Sequence, residues 1–242
     1  MMFINTNMNI YNLLKLQSWW RGTKLRNNRL PNVLYVVQDL LKRNKIVFSN
    51  QNDDGRINSC NDEESVIIKL EEKLENRIKK PKARMWYDIL LYDYKYGWIP
   101  VNIKTTTTKT SDNTGNLAMC VHSYTSCKLE LDIDKTYDNG KMSIILLDHL
   151  RTGCFNMVIK KDYYFVVLNK TNPEDIIINS VRGLSSLTPN VNNLPFQVCW
   201  DKNRKFQRST IKKSIEQFLE CLQKPRPSWK ENFMNSIREI VI

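Results

Sequence analysis

The spacing of apolar residues predicts helices towards both ends of the chain. Helical intervals between apolar positions occur over residues 8–20, 31–44, 62–79, 208–223 and 228–241. The face of the third segment consists of Val66, Ile67, Leu70, Leu74 and Ile78. Pro81 ends this helical pattern, and the polar, turn-rich segment 49–64 predicts a loop before it.

The middle of the chain has the pattern of strands. Apolar runs near 86–93 and 98–106 are separated by the turn sequence YDYKYG, which predicts an antiparallel hairpin. Further strands are predicted at 142–147, 155–160, 162–169 and 174–179. This order predicts a single mixed α/β domain, with N-terminal helices over 1–48, a core over about 55–200 and C-terminal helices over about 205–242.

Composition narrows the range of partners. The formal net charge of +12 over 242 residues favours a polyanion such as nucleic acid, although many basic proteins bind none. No apolar run approaches the ~20 residues that span a bilayer, so we expect no membrane association. The N-terminal residues lack the pattern of a signal peptide, and the six cysteines form no CxxC pair. We therefore expect an intracellular, cytoplasmic protein with reduced thiols and no zinc site, in which His122 and His149 are structural.

The hairpin contains an acid and a lysine. Asp88 lies in its first strand and Lys104 in its second, and such residues converge at one end of an antiparallel pair. Asn102 stands two positions before Lys104, so both project from the same face. Oxygen ligands beside a lysine suit hydrolysis of a phosphodiester with Mg²⁺, the lysine orienting or helping to deprotonate water. The alternative is that Asp88 pairs with Arg84 or Lys95.

These residues carry a resemblance to a known family. The stretch YDILL…IPVNIKTT resembles the PD-(D/E)xK nuclease signature, in which an aspartate on one strand precedes (D/E)-x-K on the next. Its ending is similar to the active-site strand of EcoRV-like type II restriction endonucleases. The blocks GRINS…NDEE, PKARMWYDI, SDN, DYYFVVLNK and PNVNNLPFQVCW extend the resemblance to type II restriction endonucleases over residues 55–200.

The resemblance implies a fold and an activity. The fold is α/β, with a restriction-endonuclease-like mixed central sheet flanked by helices, and the activity is site-specific cleavage of double-stranded DNA with Mg²⁺. Asp88 matches the metal-binding aspartate and Lys104 the catalytic lysine, whereas Asn102 stands where the family has Asp or Glu. A natural variant, an acid deliberately changed to Asn and a degenerate site all fit this departure.

The resemblance also implies partners. A cognate DNA methyltransferase would protect the host DNA. One catalytic site per chain, set against two DNA strands to be cut, predicts a homodimer. Many members of the superfamily add a glutamate from the preceding helix, for which Glu63 and Glu64 are the candidates. The alternative for both is an ordinary acid near a helix N-terminus, favoured by the helix dipole.

Polar residues around this core are candidates for DNA contacts. The candidate set is Arg56, Asn58, Ser59, Thr105, Thr106, Lys109, Asn193, Gln197, Arg204 and Lys205. Loop polarity, strand propensity and a solvated basic face explain the same residues without DNA. Two other functions stay open: a DNA-binding module that kept the fold but lost the chemistry at Asn102, and a structure-selective repair nuclease.

Overall fold

A computed structural model describes most of the chain. The described residues are 29–48, 55–82, 85–190, 195–207, 209–224, 235, 237 and 238. The predicted helix at 8–20 lies outside them, and so does nearly all of the one at 228–241. Among the described residues, no helix is both long enough and apolar enough to cross a membrane.

The strands form a larger and a smaller sheet. They are β1 (Ile78–Lys79), β2 (Ile89–Asp93), β3 (Gly97–Thr106), β4 (Ser111–Asn113), β5 (Tyr164–Asn169), β6 (Asn172–Ser180), β7 (Thr188–Pro189) and β8 (Phe196–Cys199). The larger sheet has five strands in the order β1-β2-β3-β5-β6, and the smaller has three in the order β4-β8-β7. In the larger sheet β3 and β5 are parallel and the other neighbours antiparallel, so the sheet is mixed.

The helices agree only in part with the predictions. They are α1 (Asn32–Arg43), α2 (Gly55–Leu74), α3 (Leu117–Tyr124), α4 (Asn139–Arg151) and α5 (Ile211–Gln223). The predictions at 31–44 and 208–223 are confirmed. The loop predicted over 49–64 is wrong from Gly55 onwards, because α2 begins there. Asn58, which lay in the predicted loop, and Asp62, at which the predicted helix began, are both buried in the first turns of α2.

Two predicted strands are wrong. Residues 142–147 lie in α4, where Met142, Leu146 and Leu150 recur every four positions and form its buried face. Residues 155–160 form no strand, and in this segment Met157 is 75% exposed. The short apolar runs in both segments resemble strands in sequence, but in the folded protein the first run is helical and the second forms no strand. The strands predicted at 162–169 and 174–179 are confirmed as β5 and β6.

The larger sheet is packed on both faces. Ile89, Val101, Ile103 and Val166 join a buried cluster with α1 and α2, while Leu90, Phe165 and Val167 join another with α3, α4 and α5. Each fully buried Val, Leu or Ile contributes about 1.5–3 kcal/mol, so burial on both faces holds β3 and β5 at the centre. The predicted class, an α/β protein with a mixed sheet flanked by helices, is confirmed.

Candidate active site

Asp88 is fixed to the neighbouring strand at the start of the hairpin. Its backbone N–H donates to the Val101 carbonyl at 3.0 Å. Its side-chain Oδ2 accepts a hydrogen bond from the backbone N–H of Ile103 at 2.8 Å. These bonds flank Asn102 along β3, so the structure brings Asp88 to the point of the strand that carries Asn102 and Lys104.

Lys104 is paired with a glutamate from α2. Its Nζ lies 3.6 Å from Glu63 Oε1, and the two side chains are only 21% and 20% exposed. The same Glu63 oxygen accepts from the Thr105 N–H at 3.3 Å. Glu64 points elsewhere and pairs with Lys80 at the surface. The structure therefore brings Glu63, and not Glu64, to Asp88 and Lys104.

The first turns of α2 are held against the end of the sheet by polar contacts. Lys170, which follows β5, pairs with the buried Asp62 at 3.1 Å and donates to Ser59 Oγ at 3.0 Å. The Thr105 hydroxyl donates to the Ser59 carbonyl at 3.4 Å. Because Asp62 directly precedes Glu63, these contacts set the position from which Glu63 reaches Lys104.

Asp112, on β4, is a further acid that the sequence reasoning did not identify. Its Oδ2 accepts from Trp200 Nε1 at 3.3 Å, and its charge acts on both Lys104 and Glu63. The only sequence signal was the block SDN within the resemblance, which gave Asp112 no role. Its placement depends on a turn and on a strand far along the chain, and neither is visible in local spacing.

The turn that returns the chain to Asp112 has an unusual backbone. Thr108 is buried and has φ +64°, a conformation that a β-branched residue rarely adopts. Its carbonyl accepts from the Asp201 N–H at 3.0 Å, and its Oγ1 accepts from Arg204 Nη2 at 3.4 Å. Such backbone strain costs about 1–3 kcal/mol, which the surrounding contacts offset.

The electrostatics of the cluster are dominated by acids. Burial raises the pKa values of Asp88, Glu63 and Asp112, and the Lys104 charge opposes each increase. For Lys104, burial alone would lower the pKa, but the three carboxylates together raise it. When all the groups are ionised, three negative charges face one positive charge, so a proton or a cation would stabilise the cluster.

Asn102 presents a carbonyl oxygen without a partner. Tyr163, whose hydroxyl donates to the Trp86 carbonyl at 3.0 Å, lies beside the Asn102 side chain. Within the described part of the chain, Asn102 Oδ1 is buried and accepts no hydrogen bond. Leaving such an oxygen unsatisfied costs about 1–3 kcal/mol, which a water or a cation would recover.

The donor chemistry of this cluster fits Mg²⁺. The described residues contain no group of three His, Cys, Asp or Glu side chains close enough to hold a metal. Mg²⁺ generally keeps several waters and takes only one or two carboxylates from a protein. The Asp88 carboxylate, the Glu63 carboxylate and the orphaned Asn102 oxygen are all hard oxygen donors of this kind.

The predicted DNA-contacting residues around the site differ in how exposed their side chains are. Asn58 is buried in α2, and the Thr105 side chain is buried against Ser59. Thr106 ends β3 half-buried, and Lys109 is exposed in the following turn. The Arg56 side chain lies outside the described residues. Thr106 and Lys109 are therefore the members of this group that are best placed to meet a phosphate.

The predicted DNA-contacting residues in the C-terminal part of the chain also differ in their exposure and in their partners. Arg204 pairs with Asp175 at 2.7 Å and with Asp201 at 2.7 Å, so its charge is balanced within the fold. Lys205 is exposed. Gln197 lies on β8, and Asn193 lies outside the described residues.

Comparisons with known proteins add no family to this geometry. No protein-family model, curated protein or solved structure matches the chain.

Proposed function

We propose that this protein is a Mg²⁺-dependent endonuclease that cleaves double-stranded DNA at specific sites, as type II restriction endonucleases do. The observation that carries the proposal is the position of Lys104. Its ammonium lies within a set of acids contributed by the start of β2, by α2 and by β4. The resemblance of the hairpin sequence to the PD-(D/E)xK signature supports the same reading.

The residues suggest a division of roles. Because the carboxylates raise the pKa of Lys104, it is a cation at neutral pH, and we assign it to orienting the attacking water and the scissile phosphate. Glu63, whose pKa is raised by burial, is a better candidate than Lys104 to accept a proton from that water. Asp88 and Asn102 would hold Mg²⁺. When bound, the cation neutralises charge on the phosphate.

The arrangement of the larger sheet supports a restriction-endonuclease-like fold. A restriction-endonuclease-like fold requires a central mixed sheet covered by helices, with the acid and the lysine on adjacent strands. Here Asp88 directly precedes β2, and Lys104 lies on its antiparallel neighbour β3, which also pairs in parallel with β5. Helices cover both faces of this sheet.

The partners follow from charge and from symmetry. The net charge of +12 favours association with DNA by release of counterions. We propose a homodimer on DNA, since one site per chain meets two strands to be cut. An enzyme of this kind acts inside the cell, alongside a methyltransferase that protects the host DNA.

Cleavage of a large, unmethylated DNA with many sequence contexts tests the proposal. The given protein should produce discrete fragments with Mg²⁺ or Mn²⁺. Lys104→Ala should lose cleavage and retain DNA binding. Lys141→Ala, at an exposed position on α4, is the matched control and should cut normally. Absence of cleavage by both the given protein and Asn102→Asp would overturn the proposal.

One observation favours a second function. Asn102 brings no formal charge to the position where the family has an acid, so metal affinity is lower than in a fully acidic site. DNA binding without cleavage, by the given protein and by Asn102→Asp alike, would identify a binding module on the same fold.

A further inference from the structure

The smaller sheet carries a cluster of three amide side chains. Asn113 on β4 and Gln197 on β8 are directly paired in the strand register. Gln197 Nε2 donates to Asn113 Oδ1 at 2.8 Å, and Asn190 Nδ2 donates to the same oxygen at 2.8 Å. A single oxygen therefore accepts two hydrogen bonds and holds the three side chains together.

Among the described residues, the cluster leaves a donor on Asn113 and an acceptor on Gln197 for an outside partner. With Asn113 Oδ1 occupied, its Nδ2 group remains as a donor, and Gln197 Oε1 remains as an acceptor. If the Asn113, Gln197 and Asn190 amides are all turned over, the donor and the acceptor exchange places and the pair remains. Asn113 is exposed and Gln197 is half-buried, so the pair is accessible to a ligand.

The pair is rigidly supported. Asn190 is buried beneath it. Just beyond Asn113, a Cβ atom at Gly115 would come within 2.7 Å of Pro195 Cγ, so the chain segments following β4 and preceding β8 are in close contact. A donor and acceptor held at fixed spacing lose little conformational entropy on binding, which favours selective recognition.

The two free groups are complementary to one base edge. In the major groove adenine presents the N7 acceptor beside the N6 donor, whereas guanine presents two acceptors, N7 and O6. A donor beside an acceptor satisfies adenine and leaves an acceptor facing guanine O6. A β ribbon also fits the major groove. Asn113 directly follows Asp112, so the same short strand carries one member of the pair and one member of the acid cluster.

We propose that Asn113 and Gln197 together read an adenine in the DNA, so that the recognition sequence requires an A·T pair near the cleaved phosphate. This inference rests on the proposed function, because it needs DNA as the substrate. It names the base and the residues that recognise it, neither of which follows from cleavage alone.

Selection from a pool of randomised duplexes, without divalent cations so that no DNA is cut, tests the inference. The given protein should enrich a motif with an invariant A·T pair. Replacing that adenine with 7-deazaadenine, which lacks the N7 acceptor, should weaken binding by about tenfold or more. Asn113→Ala should lose the preference at that position. Asn139→Ala, an exposed amide on α4, should keep it.

The outcomes separate this inference from the proposed function. A motif without a required A·T pair, or full affinity for the 7-deazaadenine duplex, would overturn it even if the protein cuts DNA. The base-analogue measurement uses the unaltered protein, so it decides the question even if Asn113→Ala folds poorly. A chain that enriches no motif would also overturn the reading of adenine, while non-specific cleavage would leave a nuclease activity standing.

Discussion

The Asp88 carboxylate and the backbone N–H of Ile103 are joined by a 2.8 Å hydrogen bond across the β2–β3 hairpin. This contact holds the acid at the start of β2 to the strand that carries Asn102 and Lys104. The pairing of the hairpin therefore sets the position of Asp88, and no ion pair of Asp88 forms among the described residues. Of the two alternative partners, Arg84 lies outside those residues, and the Lys95 ammonium lies over the Tyr96 ring, 5.7 Å from its centroid.

Asn102→Asp should lower the stability of the metal-free protein and raise its affinity for Mg²⁺. The change places a carboxylate beside the buried Tyr163, in a cluster already rich in negative charge. We expect a loss of about 1–3 kcal/mol in unfolding free energy without divalent cations. Mg²⁺ should restore that stability and bind at least about tenfold more tightly than to the given protein, because a charge is added near the dication. Calorimetric titration and thermal unfolding with and without Mg²⁺ measure both effects. Equal Mg²⁺ affinity in the two proteins would show that residue 102 does not face the cation.

Lys104→Ala should reduce the cleavage rate by at least about a hundredfold while DNA affinity changes little. A residue that orients the reacting water contributes mainly to stabilising the transition state. Removing the cation also removes the charge that opposes proton binding by Asp88 and Glu63, so their pKa values should rise further. Cleavage rates and equilibrium binding, measured on the same duplex, separate the two effects. Loss of binding in parallel with cleavage would assign Lys104 to DNA contact instead.

Asp112→Asn should stabilise the protein at neutral pH when divalent cations are absent. Burial raises the pKa of Asp112 in the folded state, so the folded protein holds this proton to a higher pH than the unfolded chain does. Stability from this group is therefore present at low pH and is lost as pH rises from the ordinary aspartate pKa through the raised one. Asn retains an oxygen for the Trp200 N–H and carries no charge. We expect a melting temperature about 2–4 °C higher at pH 7, with the difference shrinking towards pH 4. A difference that stays constant across this range would refute the pH argument.

Lys170→Met should destabilise the protein by about 3 kcal/mol, because it removes the Lys170 ammonium from its ion pair with the buried Asp62 carboxylate. Asp62→Asn in the same chain should recover much of that loss. Lys45→Met is the matched control, since Lys45 pairs with Glu174 at the surface and both side chains are more than half exposed. We expect less than about 1 kcal/mol there. Urea unfolding of the four proteins tests the prediction, and equal losses for the two lysine changes would contradict it.

The hairpin could be predicted from the sequence because the residues that define it lie close together along the chain. Asp88 directly precedes β2 and Lys104 lies on β3, two strands joined by a short turn, and strand alternation alone places Asn102 beside Lys104. The choice between Glu63 and Glu64 was not accessible. It depends on how α2 is held by Lys170 and Thr105, which are distant in sequence.

The errors have physical causes of the same kind. Short apolar runs such as SIILL in α4 fit a strand and a buried helix equally well, and only the packing of Met142 and Leu146 decides between them. Asp112 depends on the left-handed backbone of Thr108 and on pairing with β8. No local pattern encodes either, so that acid could be found only in the folded chain.

The hydrogen bond between Asp112 and Trp200 spans 88 residues of chain. During synthesis at about 5–20 residues per second, roughly 4–18 seconds separate the emergence of Asp112 from that of Trp200. Until then β4 has no β8 to pair with, and Asp112 has no indole to hold it. The hairpin with Asp88 and Lys104 can form early, but the complete acid set has to wait for the far end of the domain. A ribosome-bound chain that is cut short before Trp200 therefore lacks the finished acid cluster.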